Sequence, residues 1–196
     1  NPLYEIDENE ERVKEVITSD QWIQEMMGIK ERRRAAQDEE VHDMGAKAVV
    51  DALTKVNLAP EDLEGIIVAT VTQNQQFPSA ACLVQEKIGA QNVHLAMDIG
   101  AACAGFTTAI AIADSLIKQH GYGPFAVVGV EKLSRMVDYK DKNSPLFGDG
   151  AGAVIMGRGE DNTRGVVNTE GKSNPFEKRA RWIYRDSKGY LRMPYG

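Results

Sequence analysis

The sequence has little cysteine, little histidine and no apolar run long enough to cross a membrane. Two cysteines, Cys82 and Cys103, stand among 196 residues. Neither belongs to a Cys-x-x-Cys pair, so a disulfide-stapled fold is excluded. Free thiols in a reducing, cytoplasmic compartment are expected. The three histidines, His42, His94 and His120, have no ligand spacing with either cysteine. That excludes a structural zinc site, and no metal is expected. No segment approaches the roughly 18 apolar residues of a membrane span. Residues Asn1 to Glu15 are acidic and lack the apolar core of a signal peptide. The chain opens on Asn rather than Met, which suggests a start inside a longer gene product.

Positive charge is also short. Lys and Arg number 23 against 29 Asp and Glu, a net charge of −6. This argues against nucleic-acid binding. The balance shifts along the chain: residues 1–40 carry 6 basic and 12 acidic groups, residues 161–196 carry 8 and 4. The basic tail (Lys178, Arg179, Arg181, Arg185, Lys188, Arg192) reads as a solvated loop or hairpin face, with an acidic partner as the alternative. The carboxylates of residues 5–15 read as a solvated face, and the run Lys30 to Arg34 as exposed.

What remains is globular: 42% hydrophobic and 27% charged residues. Residues 1–36 are polar and read as irregular with one short helix. Thr18, Ser19 or Asp20 can cap that helix, and Trp22, Ile23 and Met26 give it an apolar side. From Val41 to Val56 apolar residues recur at helical spacing, with Asn57 and Pro60 as stops. Gly65 to Val71 is a continuous, β-branched apolar run, the mark of a strand buried on both faces. Phe77-Pro78-Ser79 opens a helix that Gly89 ends. A strand follows at Leu95 to Ile99, then a helix at Gly105 to His120 and a strand at Phe125 to Val130. Ala151 to Met156 and Gly165 to Thr169 read as further strands. Alternating strands and helices with short connections imply a largely parallel sheet flanked by helices. The expected division is an N-terminal region 1–36, an α/β half-domain 37–170 and a basic loop or hairpin 171–196.

Cys103 is the strongest candidate for chemistry. It lies in Asp98-Ile99-Gly100-Ala101-Ala102-Cys103-Ala104-Gly105-Phe106, between a buried strand and a helix. Small neighbours allow a tight turn and close approach to the sulfur. A thiol at a helix N-terminus feels the positive end of the dipole, which favours the nucleophilic thiolate. The alternative is a small buried residue at a helix–sheet junction. Cys82, inside its helix, reads as a core residue. Phe147-Gly148-Asp149-Gly150-Ala151-Gly152 is glycine-rich, but a strand follows it where a phosphate loop needs a helix. It reads as a tight backbone turn.

Six stretches, taken in order, resemble one family. They are Thr18 to Ile23, Gly28 to Arg33, Phe77 to Cys82, Asp98 to Phe106, Leu133-Ser134-Arg135, and Phe147 to Ala153. The family is β-ketoacyl-acyl-carrier-protein synthase III, a thiolase-fold condensing enzyme. The resemblance covers residues 18–158 and implies the N-terminal half of a thiolase-like α/β fold. It implies that Cys103 takes an acyl group as a thioester and passes it to decarboxylating malonyl-carrier protein, initiating fatty-acid or related polyketide synthesis. It implies that the Cys103 N–H supplies half of an oxyanion hole, and that Leu133 and Phe147 line an acyl pocket. Phe77 would reach across a homodimer, Trp22 would stack on the adenine of CoA, and Thr18 would touch the same ligand. No prosthetic cofactor follows; CoA or carrier-protein pantetheine is the substrate, and acyl carrier protein the partner. No membrane partner and no nucleic-acid partner follow.

Two departures stand out. The adenine-stacking arginine of the family aligns with Lys142, which lacks the flat guanidinium. A second CoA-binding arginine aligns with Met26. The family also runs to a second half, which carries its histidine and asparagine; none of His42, His94 and His120 matches that histidine. The chain would then need a companion or longer chain to condense. The competing readings are a thiolase-fold acyltransferase without condensation, a partner subunit inactive alone, and a cysteine hydrolase with His42 as base.

Overall fold

The structure, a computed structural model, describes residues 3–6, 11–16, 18–159, 165–171 and 184–192. Two compact units emerge. One comprises Ala35–Lys132 and Gly150–Glu170; the other comprises Asn1–Arg34, Leu133–Asp149 and Gly171–Gly196.

The first unit is built on a sheet. Strand β3 (Gly65–Ala69) is buried at every position, as its unbroken apolar sequence requires of a central strand. It pairs in parallel with β4 (Leu95–Ile99) and with β5 (Phe125–Lys132). Strand β6 (Asp149–Met156) lies beyond β5, giving the order β4-β3-β5-β6. Alternate side chains along the strands serve two cores. Ile66, Val68, Ala126, Val128 and Val130 meet helices α2 (Val41–Val56) and α3 (Ala80–Ile88) on one face. Ile67, Phe125 and Val127 meet α4 (Gly105–His120) through Ala109, Ala113 and Ile117 on the other. Each fully buried Val or Ile contributes about 1.5–3 kcal/mol of burial.

Local chemistry sets the helix ends. Asn57, with φ 54°, closes α2 in the left-handed conformation, and Gly89 does the same for α3 at φ 72°. The N-terminus of α3 is capped twice. Ser79 Oγ accepts from Cys82 N at 3.2 Å. The Asp98 carboxylate, reaching from β4, accepts from Ala80 N at 2.7 Å and Ala81 N at 2.8 Å. Lys132 closes the entry to α2: its ammonium donates to the carbonyls of Ala36, Gln37 and Glu39 at 3.0, 3.1 and 2.6 Å. That tripod carries β5 two residues past its expected end at Val130. The central strand ends sooner than expected, at Ala69 rather than Val71.

The second unit holds an antiparallel pair, β1 (Leu3–Ile6) and β2 (Arg12–Val16), in a region expected to be irregular. Its helix α1 (Asp20–Met27) is capped by Ser19, whose Oγ accepts from Trp22 N at 3.0 Å. None of its side chains is buried, and Met26 is exposed. A short hairpin, β7 (Tyr184–Arg185) with β8 (Leu191–Arg192), follows. Arg185 and Lys188 are exposed, as expected of a solvated hairpin face, and Arg192 is the exception. It is buried, and its guanidinium donates to Asp186, Asp141 and Asp138 at 2.7, 3.1 and 3.1 Å. Burial acts to lower its pKa, but the hydrogen bonds to Asp141 and Asp138 prevail and raise it. Lys178, Arg179 and Arg181 lie outside the described residues. Gly165 to Thr169 forms no strand.

Candidate active site

Cys103 occupies the crossing from β4 to α4. Residues Ala102–Ala104 form a single 3-10 turn that runs directly into the helix at Gly105. Ala104 N donates to Ala101 O at 3.0 Å, closing the turn. Ala102 carries φ 44°, the left-handed region that a side chain normally avoids. Such strain costs about 1–3 kcal/mol and is characteristic of functional turns. The turn throws the thiol outward, and Cys103 is exposed. Gly105 makes the crossing possible. A Cβ there would lie 3.1 Å from Ala69 Cβ, so the helix starts hard against the central strand.

Cys82 is the contrast, though not as a core residue. It is half-buried in α3 and stands outside both apolar clusters. Its place in the first turn of a nine-residue helix explains this: only one side of so short a helix meets the sheet, where Ala80, Ala81 and Val84 are buried.

The loop from β3 to α3 carries Phe77, which is 83% exposed. Glu131 steadies the start of that loop. Its carboxylate accepts from Val71 N at 2.9 Å and from the hydroxyls of Thr70 and Thr72. Asp98 fixes the other end by capping α3. Sequence reasoning assigned no role to Glu131, and Asp98 only a place in a motif. The signal was present: a carboxylate in an apolar strand needs donors, and the free N–H groups at a helix start or in a loop supply them.

The histidines stand elsewhere. His42 lies in the first turn of α2, across the sheet from α4, with Nε2 3.8 Å from Asp43. His94 and His120 flank Tyr122 at ring distances of 6.3 and 5.7 Å. Those rings gather where β4 and β5 begin, whereas Cys103 follows the end of β4. The hydrolase reading therefore loses its base.

The remaining candidates, Thr18, Trp22, Leu133, Lys142 and Phe147, belong to the other unit. Thr18 and Trp22, at the head of α1, are half-exposed, as are Leu133 and Phe147. Three of the sequence stretches converge there. Asp149 accepts from Ser134 N at 2.8 Å and from Ser134 Oγ at 2.6 Å, and its own N–H donates to Arg33 O at 2.9 Å. Gly148 is required by the close approach: a Cβ would sit 3.1 Å from Arg32 Cδ and 3.2 Å from Arg33 O. The glycine-rich stretch is therefore not the tight turn expected from sequence: Asp149 to Gly152 already belong to β6, and only Phe147 and Gly148 precede the strand. Arg32 is half-buried against it, not exposed like Lys30, Arg33 and Arg34. Lys142 is not free either. Its ammonium lies 3.3 Å from Glu5 Oε1 on β1, so Glu5 is more than a solvated carboxylate.

Parallel strands between helices, with a strained turn lifting a thiol at the head of one helix, define an α/β protein with an exposed cysteine at a strand-to-helix crossing, as the thiolase-like resemblance implied. The comparisons show what the chain is similar to. Residues 97–175 match the family model of 3-oxoacyl-[acyl-carrier-protein] synthase III. A β-ketoacyl-[acyl-carrier-protein] synthase III of Aquifex aeolicus is 45% identical over 179 residues, 91% of this chain and 56% of that protein. The crystal structure of the A. aeolicus 3-oxoacyl-[acyl-carrier-protein] synthase III superposes with a TM-score of 0.82 at 44% identity, covering 90% of this chain and 56% of the other. The priming β-ketosynthase of the R1128 polyketide pathway gives 0.70 at 33% identity, covering 74% and 43%. The chain is therefore a relative of the β-ketoacyl-acyl-carrier-protein synthase III enzymes, as its six stretches implied. It spans about half the length of the curated relatives it matches.

Proposed function

We propose that the chain is the acyl-accepting part of a condensing acyltransferase that uses a cysteine acyl-enzyme. The observation that carries this is Cys103: the more exposed of the two thiols, on a strained turn at the head of α4. The thiolate attacks the carbonyl carbon of an acyl thioester, a carbon–sulfur bond forms, and the donor thiolate leaves and takes up a proton. In the second step malonyl-acyl-carrier protein loses carbon dioxide. The resulting carbanion attacks the acyl-enzyme, forming a carbon–carbon bond and returning Cys103 as thiolate.

The Cys103 N–H is one donor for the oxyanion of both steps. Leu133 and Phe147 line the acyl chain's pocket, Phe77 serves a second copy in a homodimer, and Thr18, Trp22 and Lys142 meet the pantetheine donor. The division 1–36, 37–170 and 171–196 and a cytoplasmic setting belong to the same reading, as does initiation of fatty-acid or polyketide synthesis. Lys142 and Met26, which stand where the family resemblance expects CoA-binding arginines, support a second reading, acyl transfer onto Cys103 without condensation.

Intact-mass spectrometry before and after incubation with a panel of acyl-CoAs and acyl-pantetheines tests the reading. The expected result is an acyl-sized gain that maps to the Cys103 peptide and vanishes in Cys103→Ala. A gain on Cys82 alone, or none with any donor, overturns it. Release of carbon dioxide from malonyl-carrier protein separates condensation from simple transfer.

A further inference from the structure

We infer that Glu5 sets donor choice: by engaging Lys142 it removes the nucleotide's cation, so the site grips the pantetheine arm and gains little from the nucleotide end of CoA. This rests on the proposed function, in which Lys142 faces the donor.

The placement of Glu5 is enforced by the backbone. Tyr4 N donates to Lys140 O at 2.7 Å and Lys142 N donates to Tyr4 O at 2.9 Å. These bonds and the Tyr4–Asp141 bridge lay β1 along residues 140–142. The next residue, Glu5, then brings Oε1 to 3.3 Å from Lys142 Nζ. Both side chains are about three-quarters covered, at 26% and 25% exposure, so the pair is shielded more than a surface ion pair. Lys14 on β2 approaches the same oxygen at 3.9 Å but is 70% exposed.

A lysine at this position could serve a nucleotide only as a point charge for its phosphates. Glu5 already occupies that charge. Anionic phosphates brought beside Glu5 meet like charge. The neutral pantetheine arm meets none. A donor that presents pantetheine without adenosine phosphates therefore loses nothing here.

The test is calorimetric titration of the chain with CoA and with pantetheine. In the native sequence CoA should bind within about threefold of pantetheine. Glu5→Gln, which keeps size and shape, should tighten CoA by about three- to fivefold, the scale of one partly exposed ion pair, and leave pantetheine unchanged. Glu15→Gln, which removes a carboxylate elsewhere on the hairpin, should leave the ratio of the two affinities where it was. The inference is overturned if native CoA binding exceeds pantetheine binding by more than about tenfold. It is overturned equally if Glu5→Gln leaves the ratio unchanged, or if Glu15→Gln shifts it as much. Failure of both ligands to bind native chain and variants alike overturns the proposed function itself.

Discussion

Replacing Asp98 with alanine should unfold the scaffold of the thiol turn by a predictable amount. The carboxylate accepts two backbone N–H groups at the start of α3, at 2.7 and 2.8 Å. Hydrogen bonds to a charged group contribute about 1.5–3 kcal/mol each, and a carboxylate at a helix N-terminus adds about 0.3–1 kcal/mol. Water can reach part of the vacated space, because Asp98 is only half-buried. The net loss should then be about 2–4 kcal/mol. Asp98→Asn keeps one acceptor and loses the charge, and should cost about half as much. Urea denaturation followed by circular dichroism reads this directly, as a lowered midpoint at unchanged slope. A loss below about 0.5 kcal/mol for Asp98→Ala would refute the reasoning, because it would mean that Ser79 alone satisfies the helix end. Equal losses for Ala and Asn would show that charge, not hydrogen-bond geometry, is what Asp98 supplies.

Four further outcomes are expected. Iodoacetamide should modify Cys103 faster than half-buried Cys82, by about tenfold or more under native conditions, and peptide mapping of a time course checks it. Gly148→Ala should cost about 1–3 kcal/mol, since the backbone oxygen of Arg33 cannot yield as a side chain could; thermal melting reads the loss. Arg192→Met should cost about 3–5 kcal/mol by leaving Asp138, Asp141 and Asp186 without their shared cation, again measured by melting. Asp43 links stability to pH. Burial acts to raise its pKa, but the Lys87 ion pair at 2.7 Å and the Glu40 N–H outweigh this and hold it below the ordinary 3.8. Its stabilisation is therefore complete above that ordinary value and fades as pH falls through the depressed one. Asp43→Asn should flatten that acid limb in a series of melts from pH 6 to pH 2.

The α/β unit was legible from the sequence because its signals are local. Leu95–Ile99 and Gly105–His120 were placed by an apolar run and by helical spacing of apolar residues, and the structure keeps both ranges. The hairpin of β1 and β2 was not legible. Leu3-Tyr4-Glu5-Ile6 is too short and too acidic to announce a strand, and part of what holds it is a segment about 137 positions away, at Lys142. The end of β5, expected at Val130, was missed in the opposite direction. A lysine ends a strand by composition, yet three carbonyls from the 36–39 loop satisfy it while the strand continues. Cys103 was legible as a candidate from its small neighbours and its place between a strand and a helix. What could not be read was the strain at Ala102, which no residue-type preference encodes.

That left-handed Ala102 also bounds which neighbours the thiol can acquire. Its φ of 44° is open to glycine at no cost and to asparagine or aspartate at small cost. Branched side chains would have to rebuild the turn. A library randomised at this position and selected for folding should therefore return a narrow set: alanine, glycine, asparagine and aspartate. Valine, isoleucine and threonine should vanish from it even where selection ignores catalysis, so the spectrum of tolerated substitutions becomes a backbone measurement made without a diffractometer.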